Sequence, residues 1–424
     1  MTTYEASLSY AVSQDQQDSL NKFREQFHFP LHEGKEAIYF CGNSLGLQPK
    51  TVKAAIQQEL DDWHIHAVEG YWKAKNPWLY YQQYCRKPLA PLVGAMEKEV
   101  SVMNTLTVNL HLMMLSFYRP SGKRYKVIME AGAFPSDQYA IETQVKLYGY
   151  DPADAIIEVS PRPGEHLIRL EDILQIISEQ SDSLALLLFG GINYYTGQLF
   201  DMKALTEAAH QAGAYAGFDL AHVVGNVPLQ LHDWNVDFAV WCSYKYLNGG
   251  PGAVGGAFVH EKHASRIDQP RAGGWWGNEE STRFLMEKGF VPKAEAEGWQ
   301  LSTAQVFNMV GLKSSLEIFE TTSIAALRAK SIHLTGYLEY LLQQIEGVNF
   351  EILTPKNCAE RGAQLSLFFG NQGKAIHQQL TAAGIIADFR EPGVIRFAPA
   401  PIYNTYQDVF HVYEIISNVS NVLI

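Results

Sequence analysis

Between residues 37 and 260 the chain carries eight short, mostly apolar runs, separated by stretches of helical period, and this alternation constrains the fold more than any other feature. The runs are AIYFC (37–41), EVSVMN (99–104), YKVIMEA (125–131), AIIEVS (155–160), SLALLLFGG (183–191), AYAGFDL (214–220), DFAVWCSY (237–244) and GGAFVHE (255–261). A strand with one wet face alternates apolar and polar residues, whereas a continuous apolar run needs cover on both faces. The intervening segments supply that cover: in 202–213, Leu205, Ala208, Ala209 and Ala212 share one helical face. Strand and helix in alternation predict an α/β fold, a mostly parallel sheet with helices on both sides.

Beyond about residue 262 the pattern changes. A Gly/Trp-rich turn, RAGGWWGNEE, leads into two long helical patterns at about 305–346, followed by strand-like FEILTP (350–355), QLSLFFG (364–370) and VIRFAPAPI (394–402) and a closing helix. This reads as a smaller α+β unit. The expected division is an N-terminal segment over 1–36 with a helix near 14–28, a large α/β domain over 37–300, and a small domain over 301–424.

A chain of 424 residues has ample core without staples. Its 33 Lys+Arg against 45 Asp+Glu give a formal charge of −12, which offers no general field for nucleic acid. The longest apolar stretch, 184–192, is about half of what a bilayer span needs, and the first residues lack a basic and apolar leader, so a cytoplasmic protein without membrane contact is expected. Cys41, Cys85, Cys242 and Cys358 are scattered, which argues for reduced thiols and against a zinc ribbon; no metal is expected.

Three motifs invite other readings. G-N-S-L-G at 42–46 resembles the nucleophile elbow of a serine hydrolase, but only one strand precedes Ser44, and glycines around Asn-Ser also serve an ordinary turn. G-P-G-A-V-G at 250–255 is followed by a strand, so a phosphate there would meet no helix N-terminus. His260 and His263 lack the i,i+4 spacing of a zincin, and His64 and His66 point apart on a helix.

The stretch 218–252 carries more chemistry. Asp219 ends one strand, His222 follows, and the next strand ends at Ser243-Tyr244-Lys245 before a Gly-rich turn. These residues are delivered to carboxyl ends of sheet strands, where open α/β folds bind ligands. A lysine there can form a Schiff base with pyridoxal phosphate while a carboxylate keeps the pyridine nitrogen protonated. Either residue alone would more often be a surface charge or a helix cap; the combination favours the cofactor.

In chain order, YFCGNSLGLQPK, SVMNTLTVNLHLMMLSF, FPSDQYAIETQ, FDLAH, WCSYKYLN, GWWGNEESTRF, KSIHLTGYLEYLL and IRFAPAPIYN resemble the kynureninase family from about residue 37 onward. The resemblance implies fold type I of the pyridoxal-phosphate enzymes, with a seven-stranded sheet in the large domain, and a homodimer with shared active sites. It also implies hydrolysis of L-kynurenine, or its 3-hydroxy form, to an anthranilate and L-alanine, in tryptophan catabolism or NAD biosynthesis.

Carried over by position, Lys245 would be the Schiff-base lysine and α-carbon base, Asp219 the partner of the pyridine nitrogen, and His222 its neighbour on the cofactor. Leu106 and Thr107 would bind the phosphate, Phe134 would stack on the ring, and Pro135, Ser136 and Asp137 would continue that wall. Gly190 stands where some members carry serine. Tyr244 would contact the phosphate and stabilise the hydrated γ-carbonyl of the substrate; Trp275, from the second subunit, and Thr303 would complete the cofactor site. Arg396 would grip the substrate carboxylate, with Asn43, Ser44 and Tyr71 nearby. Thr303 replaces a frequent asparagine and Tyr71 a frequent histidine, which tilts the reading toward plain kynurenine. The residues alone leave open another fold-type-I activity, such as an aminotransferase, or a desulfurase using Cys358.

Overall fold

The computed structural model describes residues 4–419. Seven of the eight expected runs become strands of one sheet: β1 (Val100–Met103), β2 (Lys126–Glu130), β3 (Ile156–Val159), β4 (Leu184–Gly190), β5 (Tyr215–Asp219), β6 (Phe238–Cys242) and β7 (Gly255–Val259). Their spatial order is β1-β7-β6-β5-β4-β2-β3, and β7 alone runs against its neighbours. Side chains alternate between two cores: along β6, Phe238 and Val240 join one cluster and Ala239 and Trp241 the other. That two-sided burial is why these runs read as continuously apolar.

A second sheet, wholly antiparallel, is built from β8 (Glu351–Ile352), β9 (Leu365–Phe368), β10 (Asp388–Arg390) and β11 (Val394–Phe397), in the order β8-β9-β11-β10. The helix Ile324–Leu342 and the closing helix Tyr406–Val419 contribute Leu334, Leu338, Leu341, Val409 and Val412 to its core.

Two expectations are corrected. The run at 37–41 does not enter the large sheet: only Ile38–Tyr39 is extended there, pairing in parallel with Ile385–Ile386, while Cys41 bridges to Ala398. This apolar segment finds its partners near the second sheet, a tertiary choice that periodicity cannot express. The N-terminal helix lies at Leu8–Gln17, not 14–28, and is followed by a 3-10 segment at Asn21–Gln26. Asp15 explains the position, because its buried carboxylate accepts the backbone N–H groups of Tyr406 (2.7 Å) and Gln407 (3.1 Å) and so caps the closing helix. Among the described residues, no helix is long and apolar enough to cross a membrane.

Candidate active site

Five strands deliver their carboxyl ends to one cleft. After β1 comes the helix Leu106–Phe117; β2 ends at Glu130 and is followed by Phe134 and the helix Pro135–Leu147; β4 ends at Gly190, β5 at Asp219, and β6 leads into Tyr244 and Lys245. Leu106, Thr107, Phe134, Ser136, Asp137, Gly190, Asp219, His222, Tyr244 and Lys245, all singled out in the sequence, line this cleft of about 540 Å³. Glu130, Ile192, Tyr194 and Ala221 line it too and were not anticipated. For Glu130 the signal was available, since it closes the run YKVIMEA as Asp219 closes its own strand.

Lys245 Nζ lies 3.1 Å from His222 Nε2 and 5.9 Å from the centroid of the Phe134 ring. Burial, and then the charge of Lys245, push the His222 pKa well below its ordinary value, so this imidazole is neutral. Its Nδ1 is buried without a hydrogen-bond partner among the described residues. Asp219 accepts the Ala221 N–H at 2.7 Å; burial raises its pKa, while that bond and Lys245 oppose the rise. Asp137 is raised well above the carboxylate range by burial, then by the charges of Asp219 and Glu130 and a hydrogen bond with Asp219. Tyr244 is raised above its ordinary value by burial, which keeps the phenol protonated at neutral pH. The lysine loop is held from behind: Gly46 N–H donates to the Tyr244 carbonyl at 2.7 Å, and a Cβ at Gly46 would lie 2.4 Å from the Lys245 carbonyl oxygen.

The other expected residues lie outside the cleft lining. Pro135 is the first residue of its helix. Arg396, on β11 and 1% exposed, donates to the Tyr194 carbonyl (2.7 Å) and Ser44 Oγ (3.2 Å) and pairs with Asp388. Asn43 is buried and donates to Gln364 Oε1 at 2.7 Å. Ser44 bonds to Asp388 and Arg396; among the described residues no histidine is its partner, so the Ser–His pair of a hydrolase elbow is not formed. Tyr71 packs edge-on against Trp78, Thr303 is half-buried, and Trp275 sits in a second cavity, 44% exposed, with its indole N–H on the Arg283 carbonyl. Cys358 borders a separate cavity with Tyr4, Glu339 and Arg361.

The cleft fits pyridoxal phosphate. A lysine, an unpartnered buried imidazole nitrogen, a half-exposed aromatic face and buried carboxyls surround one cleft. At one end lies the start of the helix Leu106–Phe117, whose unpaired N–H groups favour an anion. Such a site on this strand order defines a pyridoxal-phosphate-dependent enzyme of fold type I. Solved structures bear out the fold: the cysteine desulfurase CsdA from Escherichia coli superposes with a TM-score of 0.75 at 19% identity, covering 96% of this chain and 99% of that one. The cystine C–S lyase C-DES gives 0.76 at 14% identity over 90% of this chain and 97% of that one, and it has been solved with glycine covalently linked to its PLP cofactor.

Sequence relatives narrow the class. Kynureninases from Myxococcus xanthus and Flavobacterium psychrophilum are 52% and 51% identical, each over 97% of this chain and over 97% and 98% of their own lengths. Residues 327–416 match the family model described as the kynureninase C-terminal domain. The chain belongs to the kynureninase family, pyridoxal-phosphate-dependent hydrolases that act on carbon–carbon bonds.

Proposed function

We propose that the protein hydrolyses L-kynurenine to anthranilate and L-alanine, with the roles of its residues as follows. The observation that carries this reading is the Lys245–His222 contact beside Asp219, at the junction of β5 and β6. Pyridoxal phosphate, when bound, supplies an electrophilic aldehyde and an electron-withdrawing pyridinium. Lys245 would anchor that aldehyde and would be the base that takes the substrate's α-proton. Neutral His222 accepts a hydrogen bond from the lysine and so steadies it. Asp219 would hold a proton on the pyridine nitrogen, Phe134 would lie against the ring, and Leu106 and Thr107 would bind the phosphate. Tyr244, protonated at neutral pH, donates to the oxygen of the hydrated γ-carbonyl as the Cβ–Cγ bond breaks. Arg396 anchors the α-carboxylate, with Ser44 shaping the same corner, and Asn43, Tyr71 and Thr303 contribute to the substrate's surroundings.

The working unit in this reading is a cytoplasmic homodimer, with Trp275 reaching the partner's cofactor. Exposed Trp275, Phe284, Leu285 and Met286 form an apolar segment suited to such a contact. The first test is the absorbance spectrum of the purified protein, then L-kynurenine in the same cuvette. A visible band and rising anthranilate fluorescence are expected, and K245A should lose both. A yellow protein that releases no anthranilate would overturn the substrate assignment while leaving the cofactor in place. Replacing kynurenine by its 3-hydroxy form measures the ring preference, for which plain kynurenine is expected to give the higher kcat/KM.

A further inference from the structure

Glu130 takes no part in the scheme above, yet it is 3% exposed at the floor of the same cleft. Both of its carboxylate oxygens accept the Gly190 N–H, at 3.1 and 3.0 Å. Gly190 is the register partner of Asp219 across β4 and β5, so the carboxyl of Glu130 is tied to the strand position beside the aspartate. The seat is close: a Cβ at residue 190 would lie 2.7 Å from Glu130 Oε1, so the glutamate carboxyl would have to shift to admit one.

Three carboxyls, Glu130, Asp137 and Asp219, thus meet in one buried cleft, where Lys245 is the only lysine or arginine among the lining residues. The groups that face Glu130 in this cleft are Asp219 from the end of β5, Asp137 from the helix Pro135–Leu147, and His222, Tyr244 and Lys245 from the loops after β5 and β6. Three buried negative charges in one cleft would repel one another strongly, so protons are retained and shared among them.

We infer that Glu130 is a positioning residue for the Asp219–Asp137 pair: seated on Gly190, its charge state sets how strongly the two aspartates hold their protons and how negative the floor of the cofactor site becomes. The inference rests on the cofactor lying against Asp219, as proposed above. Burial raises the Glu130 pKa to about 7, against the opposing Gly190 bond. Below that pH the residue is neutral; above it, its negative charge favours every cation in the cleft.

The test is a pH titration of the visible band of the holoenzyme. In E130Q the amide oxygen still accepts the Gly190 N–H, but the ionisation is gone. The titration midpoint should fall by about one pH unit, because an anion that favours the cationic form has been removed. A midpoint that superimposes on the wild type would overturn the inference. If E130Q does not retain cofactor, the wild-type holoenzyme with 13C-labelled glutamate suffices: its infrared difference spectrum between about pH 6 and pH 8 should show a label-shifted, protonated carboxyl C=O stretch disappearing, and no such loss would equally overturn it. A wild-type protein that never becomes coloured with added pyridoxal phosphate would refute the cofactor placement instead, so the two failures are distinct.

Discussion

Arg396, the proposed carboxylate anchor, is held from several sides. Its guanidinium is enclosed, with one nitrogen on the Tyr194 carbonyl, one on Ser44 and Asp388, and Nε left without a partner. Asp388 faces it directly across the β10–β11 pair and also binds Arg390 at 3.1 Å. A planar fork fits a carboxylate through two parallel bonds, which an ammonium cannot copy. Arg396→Lys should therefore raise KM for L-kynurenine by about 10- to 100-fold, the weight of one or two charge-assisted bonds, with a smaller effect on kcat. Steady-state kinetics check this; an unchanged KM would place the substrate carboxylate elsewhere. Sequence alone singled out Arg396 through IRFAPAPIYN but missed Asp388, since a short strand with three half-buried residues carries no apolar run.

At the level of elements, the link between β5, β6 and the segment after β7 depends on Asp237. Its carboxylate, 1% exposed, accepts the Ala216 N–H (2.7 Å), His210 (2.8 Å) and His263 (2.7 Å), and pairs with Lys262 at 2.8 Å. Burial alone would raise its pKa, but the two histidine bonds and the Lys262 charge outweigh burial and hold it well below the usual carboxylate range. A carboxylate with a depressed folded pKa stabilises the fold above its unfolded value of about 3.9, and that contribution fades as pH falls toward the folded value. Asp237→Asn should cost about 3 kcal/mol at neutral pH, since it breaks a buried charged network from one side. Chemical denaturation at pH 7 and again near pH 3 checks this: the gap to wild type should shrink in acid, and a gap that grows there would contradict the account. The strands themselves were legible because their burial is two-sided, whereas His263 was passed over as an ordinary histidine, its partner lying 26 residues away.

At the scale of the whole molecule, the proposed homodimer would have two chains share each site. Trp275 and Thr303 stand outside the cleft of their own chain, while Trp275 belongs to an exposed apolar segment. If the partner completes the site, mixing K245A with W275A and allowing subunits to exchange should recover activity that neither variant has alone. Each hybrid holds one intact site, so about a quarter of wild-type activity is expected from an equal mixture. Sedimentation should show twice the chain mass; a monomer, or a mixture no more active than its parts, would refute the shared site. By itself the sequence determined the alternation of strand and helix, the lysine and aspartate at strand ends, and the strings that place the chain in its family. These are local facts, written in periodicity and short-range spacing. Tertiary structure decided that Glu130 meets Gly190, 60 residues on, and that Asp388 meets Arg396 and Ser44. Those contacts follow from which strand lies beside which, and strand order is set by packing the whole sheet between its two cores, a choice no local window of residues contains.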